Sequence, residues 1–424
     1  MLTDQKLNLS TSSEEKPDAT APDRIDPQSF PHPPRSSGGL PATIENVGHL
    51  LDQAGFTARF NVIKKRLEVR RHGERASMNQ IASAAMLNGI GTGWLYPFID
   101  ELGTRNPHNP IKDWISSKAW DGTDRLGPFC DTVFVTDDYP ETLKAAILYR
   151  WLLGATASAL KDGPVPIHGV LTLQGEQGVG KTSWIARLLP PHLRGDYIKL
   201  DHHLDASNKD SIIGCITHFI VEIGELDSSF KKDIARIKGF LTNDFDKLRR
   251  PYAKEEAEYP RKTVFAATVN DDRFLVDPTG NRRWWTISVQ ALDFNHTIDM
   301  QQLYAQLATD YRRGEQWWLT SAEMRELTAY NLKHRAVSAI GERVADYIDP
   351  EMTGYSGGTP MTAIEVLLEI GIANPSNAQC KECGTVLREI YGPPKRIQGR
   401  DRWRVHARSA WKSRTLTETK PSDF

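Results

Sequence analysis

The residues best suited to chemistry stand in one run, His168 to Thr182, HGVLTLQGEQGVGKT. Val170 to Leu173 is a short apolar stretch of strand type. It leads straight into Gly175, Gly180, Lys181 and Thr182, which satisfy the spacing G-x-x-x-x-G-K-[ST]. The glycines permit a backbone path whose N–H groups converge on phosphate oxygens, and a helix expected from about Thr182 to Leu189 adds its positive end. Gln177, Gly178 and Ser183 complete the candidate nucleotide-binding set. Lys181 is expected to reach the β- and γ-phosphates of ATP, and the Thr182 hydroxyl to ligate Mg²⁺. A glycine-rich turn could match by chance; the order strand, loop, amphipathic helix argues against that.

A phosphate loop of this kind needs a carboxylate at a neighbouring strand end, to hold Mg²⁺ through water and to polarise the attacking water. THFIVEIGELD (217–227) offers one: Phe219, Ile220 and Val221 read as a buried strand that turns acidic at Glu222 and Glu225. Glu222 stands on the strand end, where a metal-side acid belongs, and Glu225, or Asp227, is then the base. Which of Glu222 and Glu225 does which is open at this level. The strand TVFAATV (263–269) ends on Asn270, an amide able to orient water or sense the γ-phosphate. Arg282 and Arg283, between Gly280-Asn281 and the apolar WWTISV, have the form of an arginine finger supplied by a neighbouring subunit. The plainer alternative is a surface ion-pairing site.

The elements that must position these groups follow from the rest of the chain. Its 424 residues allow two or three domains, and 53 Lys+Arg against 54 Asp+Glu give no global field that would advertise nucleic acid. The first ten residues are polar rather than a secretory signal, and no apolar run approaches the ~20 residues of a membrane span. A cytoplasmic protein is expected. The 4 cysteines suit a reducing compartment, and Cys380-Lys-Glu-Cys383 lacks the further ligands a zinc site needs, so it reads as two thiols on a helix.

Residues 1–40, rich in Pro, Ser, Asp and Glu, read as a disordered tail. Residues 41–125 read as a mainly helical domain, in which Ile44, Val47, Leu50 and Leu51, and then Ile81, Ala84, Ala85 and Leu87, face inward. FTARFNVIKKRLEVRR between them reads as two short strands. Residues 126–325 form the expected α/β core of RecA/AAA+ type. Residues 326–410 read as a winged-helix-like domain, followed by a tail, 411–424.

Two basic regions could meet DNA. The polar insertion 243–262 has flanks that could pair as a hairpin, with Lys254 near the tip, Arg249 and Arg250 on one arm, and Arg261 and Lys262 on the other. From Arg388 to Arg414 nine basic side chains, Arg400, Arg402 and Arg404 among them, face only Glu389 and Asp401. Tyr391, Trp403 and Trp411 are interleaved, which suits phosphate contact with base stacking.

GEQGVGKT, IVEIGELD, RRPYAKEEAEYPR, TVFAATVN and DPTGNRRWW occur in the order seen in virulence-associated protein E-like proteins, relatives of superfamily 3 helicases carried by phages and mobile islands. NPIKDWISSKAWDG resembles the segment that precedes the ATPase in that family. The resemblance implies a DNA-stimulated ATPase that works as a homo-oligomeric ring, a hexamer by expectation, on single-stranded or forked DNA in a bacterial host. By position it gives Lys181 and Thr182 nucleotide and Mg²⁺, Glu222 and Glu225 the acidic motif, Asn270 the sensor role and Arg282/Arg283 the finger. Many relatives carry a primase upstream; here a separate primase or replisome protein would have to supply primers. Two rivals are an ATP-switched initiator or loader and a phosphate-loop small-molecule kinase. Asn270 and the paired arginines disfavour the kinase, which normally closes a lid over its acceptor within one subunit.

Overall fold

The computed structural model describes residues 24–36, 38–167, 169–224, 234–250, 255–275, 281–334, 339–352 and 357–408. Two compact units emerge, one comprising Met1–Asn270 with Arg282–Leu327, the other Asp271–Asn281 with Thr328–Phe424.

The N-terminal part of the first unit is built on a sheet. β1 (Phe56–Asn61) alternates, burying Phe56, Ala58 and Phe60. It pairs antiparallel with β2 (Arg66–Arg71), which pairs with β3 (Glu74–Arg75), while β4 (Pro107–His108) runs parallel on the other side of β1. The order is β3-β2-β1-β4. The helices Ile44–Gln53, Met78–Leu87 and Leu95–Thr104 bury Val47, Leu50, Leu51, Ile81, Ala85 and Ile99 in the same core. β1 and β2 lie in the stretch expected to give two short strands; β3 and β4, two residues each and too short to show a period, come in addition to them and to the helices. Leu87 is 47% exposed, because its helix stops at the Asn88 cap and Ile90 turns inward instead. The expected tail also shrinks. Phe30 is buried against this core, edge-on to His49, and the Ile25 N–H donates to the Asn88 side chain.

The core of the unit is a six-stranded sheet of order β5-β12-β6-β11-β8-β7. Its strands are β5 (Val133–Val135), β6 (Val170–Gln174), β7 (Ile198–His202), β8 (Ile220–Ile223), β11 (Val264–Val269) and β12 (Trp284–Leu292); β9 (Phe245–Leu248) and β10 (Ala257–Pro260) form a separate hairpin before β11. All pairings are parallel except β5 on β12. β6, β8 and β11 are buried along their whole length, as expected of parallel strands covered on both faces. The helix Glu141–Leu160 is apolar nearly all round because it lies between the sheet and the helix Met300–Arg312, and its Trp151 indole donates to the Phe265 carbonyl at 2.9 Å. Gln301 and Gln302 donate to carbonyls of Ile115, Lys118 and Ala119, and so fasten the segment that enters the core.

The second unit strings together the helix Ala339–Tyr347, β13 (Thr359–Met361), the helices Ala363–Glu369 and Asn377–Tyr391, then β14 (Lys395–Ile397) and β15 (Arg400–Val405). Its sheet has the order β13-β15-β14. Gln398 and Gly399, both at positive φ, make the tight turn between β14 and β15. Val344, Leu367, Cys383, Leu387 and Trp403 fill the core. Cys380 and Cys383 are free thiols on one helix, and burial pushes Cys383 up to about 12. Among the described residues, no helix is long and apolar enough to cross a membrane.

Lys262, only 4% exposed, donates to the carbonyls of Lys161 and Gly163 ahead of β11. Burial pulls its pKa down from 10.5 to about 8. Between those values the folded protein has shed a proton that the unfolded chain keeps, so this group makes stability rise with pH there and leaves it unaided below about 8. Against Lys262→Met, the wild-type unfolding free energy is expected to gain roughly 3 kcal/mol over that window. Parallel pH profiles from urea titrations would contradict this.

Candidate functional site

β6 runs into its loop at Gly175, whose N–H donates to the Val269 carbonyl at 3.2 Å. A Cβ here would lie 2.3 Å from the Val289 carbonyl oxygen, so only glycine fits against β12. Gly180, with φ +92, caps the helix Lys181–Ala186, and a side chain there would strike the Phe294 ring. The helix stops short of the expected Leu189, since Pro190-Pro191 follows and cannot continue it. Gln177 and Ser183 are exposed beside the loop, and Gly178 is at φ +90.

The sheet order makes this end of β6 special. From β6 the chain crosses to the far edge at β7 and returns through β8 to β11; from β11 it crosses to β12 on the other side of β6. The connections thus diverge between β6 and β11, and the crevice outside the carboxyl ends of two such strands is where open α/β sheets bind ligands. Lys181 and Asn270 meet in it. The Lys181 ammonium donates to the carbonyls of Gly175 (2.7 Å) and Glu176 (2.8 Å) and to the Asn270 side-chain oxygen (2.9 Å). Burial lowers its pKa, against the opposing pull of Glu222.

Glu222 is the penultimate residue of β8, one short of the expected strand end, and is 1% exposed. One carboxylate oxygen accepts from the Thr182 hydroxyl at 2.8 Å and the Thr268 hydroxyl at 2.6 Å; the other accepts from the Asp201 N–H at 2.8 Å. Asp201 holds a left-handed φ of 49, and its carboxylate lies where a Cβ on Gly224 would otherwise be, 2.2 Å away. Asp201 belongs to no motif read above, and Thr268 lies within TVFAATVN with no role assigned to it there. The signal for Thr268 was its position two residues before Asn270, on the same side of β11. Asp201 had none, because its position depends on a register shift in the β7–β8 pairing. With its proton on Glu222, the Thr182 oxygen has lone pairs to offer a cation. A hydroxyl backed by a carboxylate is a hard-oxygen set that fits Mg²⁺. Glu225 and Asp227 lie outside the described residues.

Arg282 and Arg283 are not part of this cluster. Trp284 pairs with Val170 and Ser288 with Gln174, so the arginines precede the opposite end of β6, about 13 Å away along the strand. They border a cavity of about 580 Å³ lined by Trp151, Trp285, Trp317 and Trp318. Burial, then the neighbouring Arg282, holds the Arg283 guanidinium below its ordinary pKa.

The flanks of the insertion pair antiparallel, Ala257 with Leu248 through Pro260 with Phe245. Its basic residues are largely committed inside the protein. Arg250 makes a bidentate pair with Asp100 at 2.9 and 3.0 Å and lies over the Phe60 ring, so it leaves the DNA-contact set. Arg261 and Lys262 are buried, Arg261 on Asp246. Arg249 is exposed, and Lys254 lies outside the described residues. In the second unit Arg400, Arg402 and Arg404 alternate with the buried Trp403 and Val405, so all three share the outer face of β15. Arg400 and Arg404 are exposed, whereas Arg402 is taken up by Glu365 (3.0 Å) and the Pro360 carbonyl.

The Glu222 cluster predicts coupled energetics. Thr182→Val and Thr268→Val each remove a donor from a buried carboxylate and are expected to cost about 1–3 kcal/mol of stability. Because both hydroxyls share one oxygen, the double variant should depart from additivity by at least about 0.5 kcal/mol in urea titrations. Strict additivity would show that the shared carboxylate does not couple them.

The family model for the virulence-associated protein E-like domain matches residues 115–336. The apo structure of the NrS-1 C-terminal region aligns over 82% of this chain and 86% of that one, at 15% identity and a TM-score of 0.34. The A-form apo structure of the same region covers 82% and 87%, at 14% identity and 0.38. Likenesses that low carry no argument. No curated protein matches the chain in sequence. The family model, however, spans more than half of the 424 residues, from the segment entering the core to beyond the sheet: this chain belongs to the virulence-associated protein E-like family.

Proposed function

We propose that this chain is a DNA-stimulated, phosphate-loop ATPase of RecA/AAA+ type that acts as a ring helicase or translocase in replicating the DNA of a phage or mobile element. The observation that carries the reading is the meeting of Lys181 with Asn270, and of Thr182 with Glu222, at the crevice between β6 and β11. Bound there, Mg²⁺-ATP supplies the phosphoanhydride and the metal that offsets its charge.

The residues then have distinct tasks. Lys181, now held on two carbonyls of its own loop, exchanges them for phosphate oxygens. Glu222 has three donors already, so it orients Thr182 and is not the base. Glu225 takes the proton of the attacking water, and Asn270, freed as Lys181 moves, holds that water in line. The separation of Arg282 and Arg283 from the loop supports their supply in trans: a head-to-tail contact would bring one subunit's arginines to the next subunit's phosphates, and repetition closes a ring. The exposed Arg249, Arg400 and Arg404, with Lys254, give phosphate contacts, and the second unit would serve as a winged helix. An initiator or loader would share this site and differ only in failing to unwind.

Purified protein is expected to hydrolyse ATP faster with single-stranded DNA, and Lys181→Ala to abolish hydrolysis while keeping the fold. Retained turnover in folded Lys181→Ala would overturn the site. Arg283→Ala should also be inactive alone yet recover when mixed with Lys181→Ala subunits, since finger arginines contribute about 10³-fold or more in rate. No recovery at any ratio would rule out the shared site.

A further inference from the structure

The N-terminal sheet carries a concentration of positive charge that the reading above does not use. The stretch Arg66 to Arg75, RLEVRRHGER, forms β2 and β3. In that hairpin Arg71 faces Glu74, an ordinary stabilising pair, but Arg70 faces Arg75 directly. Like charges opposite one another destabilise a sheet. Both arginines are exposed, and among the described residues neither forms an ion pair. Arg70 donates to the Gly73 carbonyl at 2.8 Å, which fixes its guanidinium without offsetting its charge.

Arg70 and Arg75 line a cleft of about 350 Å³, together with Arg66, Tyr96, Asp196 and Arg250. The other charges there are balanced. Arg66 has Glu68 at 3.5 Å, Arg250 has Asp100, and Asp196 carries a negative charge that also acts on Lys64. The net field therefore comes from the Arg70–Arg75 pair, and the aromatic surface from half-buried Tyr96. The volume is at the low end for small-ligand pockets, room for one nucleotide's phosphate and base rather than for a duplex. Arg250, in the wall of the cleft, is also the last described residue of the hairpin arm before 251–254.

We propose that this cleft is a second contact for single-stranded DNA, with Arg70 and Arg75 holding backbone phosphate and Tyr96 stacking a base. The inference rests on the DNA-binding reading above and extends it to the N-terminal sheet. A strand held at the hairpin would continue past Arg250 into the cleft. Two arginines in a fork also explain the unfavourable pairing: the repulsion is relieved when phosphate arrives.

The test uses the full chain and a fluorescein-labelled oligothymidylate, with anisotropy followed over a range of salt. Arg70→Ala/Arg75→Ala should weaken binding about tenfold or more at low salt. Its log–log salt slope should fall by about 1.4, two phosphate contacts on a single strand. Basal ATP hydrolysis should not change, and the unfolding midpoint should hold or rise because the repulsion is gone. Tyr96→Ala should weaken binding about tenfold, while Tyr96→Phe, which keeps the ring, should bind as wild type. If wild-type protein binds the oligomer and the double variant keeps its affinity and slope, the cleft proposal alone falls. If the midpoint falls with the affinity, the pair is structural and the proposal falls. If wild-type protein does not bind the oligomer, the DNA-binding reading falls with it.

Discussion

The candidate site depends on one buried carboxylate. Glu222 is nearly inaccessible to water, and an uncompensated charge at that depth would shift or unfold its surroundings. Three donors make it tolerable, and each comes from a different part of the sheet: Thr182 from the helix after β6, Asp201 from β7 and Thr268 from β11. Satisfying Glu222 therefore draws the carboxyl ends of four strands together. The same act brings Lys181 to Asn270, because Asn270 lies two residues beyond Thr268. The geometry that could handle phosphate is thus a condition of folding, set before any ligand arrives.

Much of this was legible in the sequence, for identifiable reasons. A glycine-rich loop between an apolar strand and a helix is local, and Gly175 and Gly180 meet steric demands that no other residue could. Glu222 and Asn270 could be read because each is a polar residue at or beside the carboxyl end of a run of buried strand residues. Non-local features were not. Asp201 enters the site through a register shift and a left-handed φ, neither of which leaves a pattern. Arg250 and Arg402 looked available because their partners, Asp100 and Glu365, stand 150 and 37 residues away. Of the N-terminal sheet, β1 and β2 could be read from their sequence, whereas β3 and β4 could not, because they are two residues each. Phe30 lies in a stretch whose polar composition reads as a tail, and only the non-local core that buries it shows its role.

The hairpin before β11 is the feature whose mechanics change most. A polar insertion whose flanks pair as a hairpin was expected, and both arms are anchored as well. Tyr259 stacks on Phe60, Arg250 is held by Asp100, and Asp246 lies between Arg261 and Lys65, both buried. Lys65 is in turn the residue at φ 51 in the β1–β2 turn, so the N-terminal sheet reaches into the base of the hairpin. A buried ion pair of this sort resists being broken more than it adds stability, because the partner left behind stays charged. Any displacement of the hairpin must therefore carry the N-terminal sheet with it, and the cleft of Arg70 and Arg75 as well.

That coupling has a structural counterpart at the same end of the core sheet. β10 runs through Arg261 and Lys262 into β11, whose far end is Asn270, so the hairpin and the candidate phosphate crevice occupy opposite ends of one stiff, fully buried strand. Arg282 and Arg283 stand at the hairpin's end of the sheet, not at the crevice. Thr242, one residue before the insertion, lines the same cavity as the two arginines, and Lys238 on the preceding helix feels the Arg283 charge. In a head-to-tail ring the neighbour's nucleotide would meet this arginine pair and so press on the helix that leads into the hairpin. A subunit's own nucleotide would act on the hairpin only through the length of β11. If the proposed ring forms, this arrangement would place each hairpin under the control of the adjoining subunit's nucleotide rather than its own.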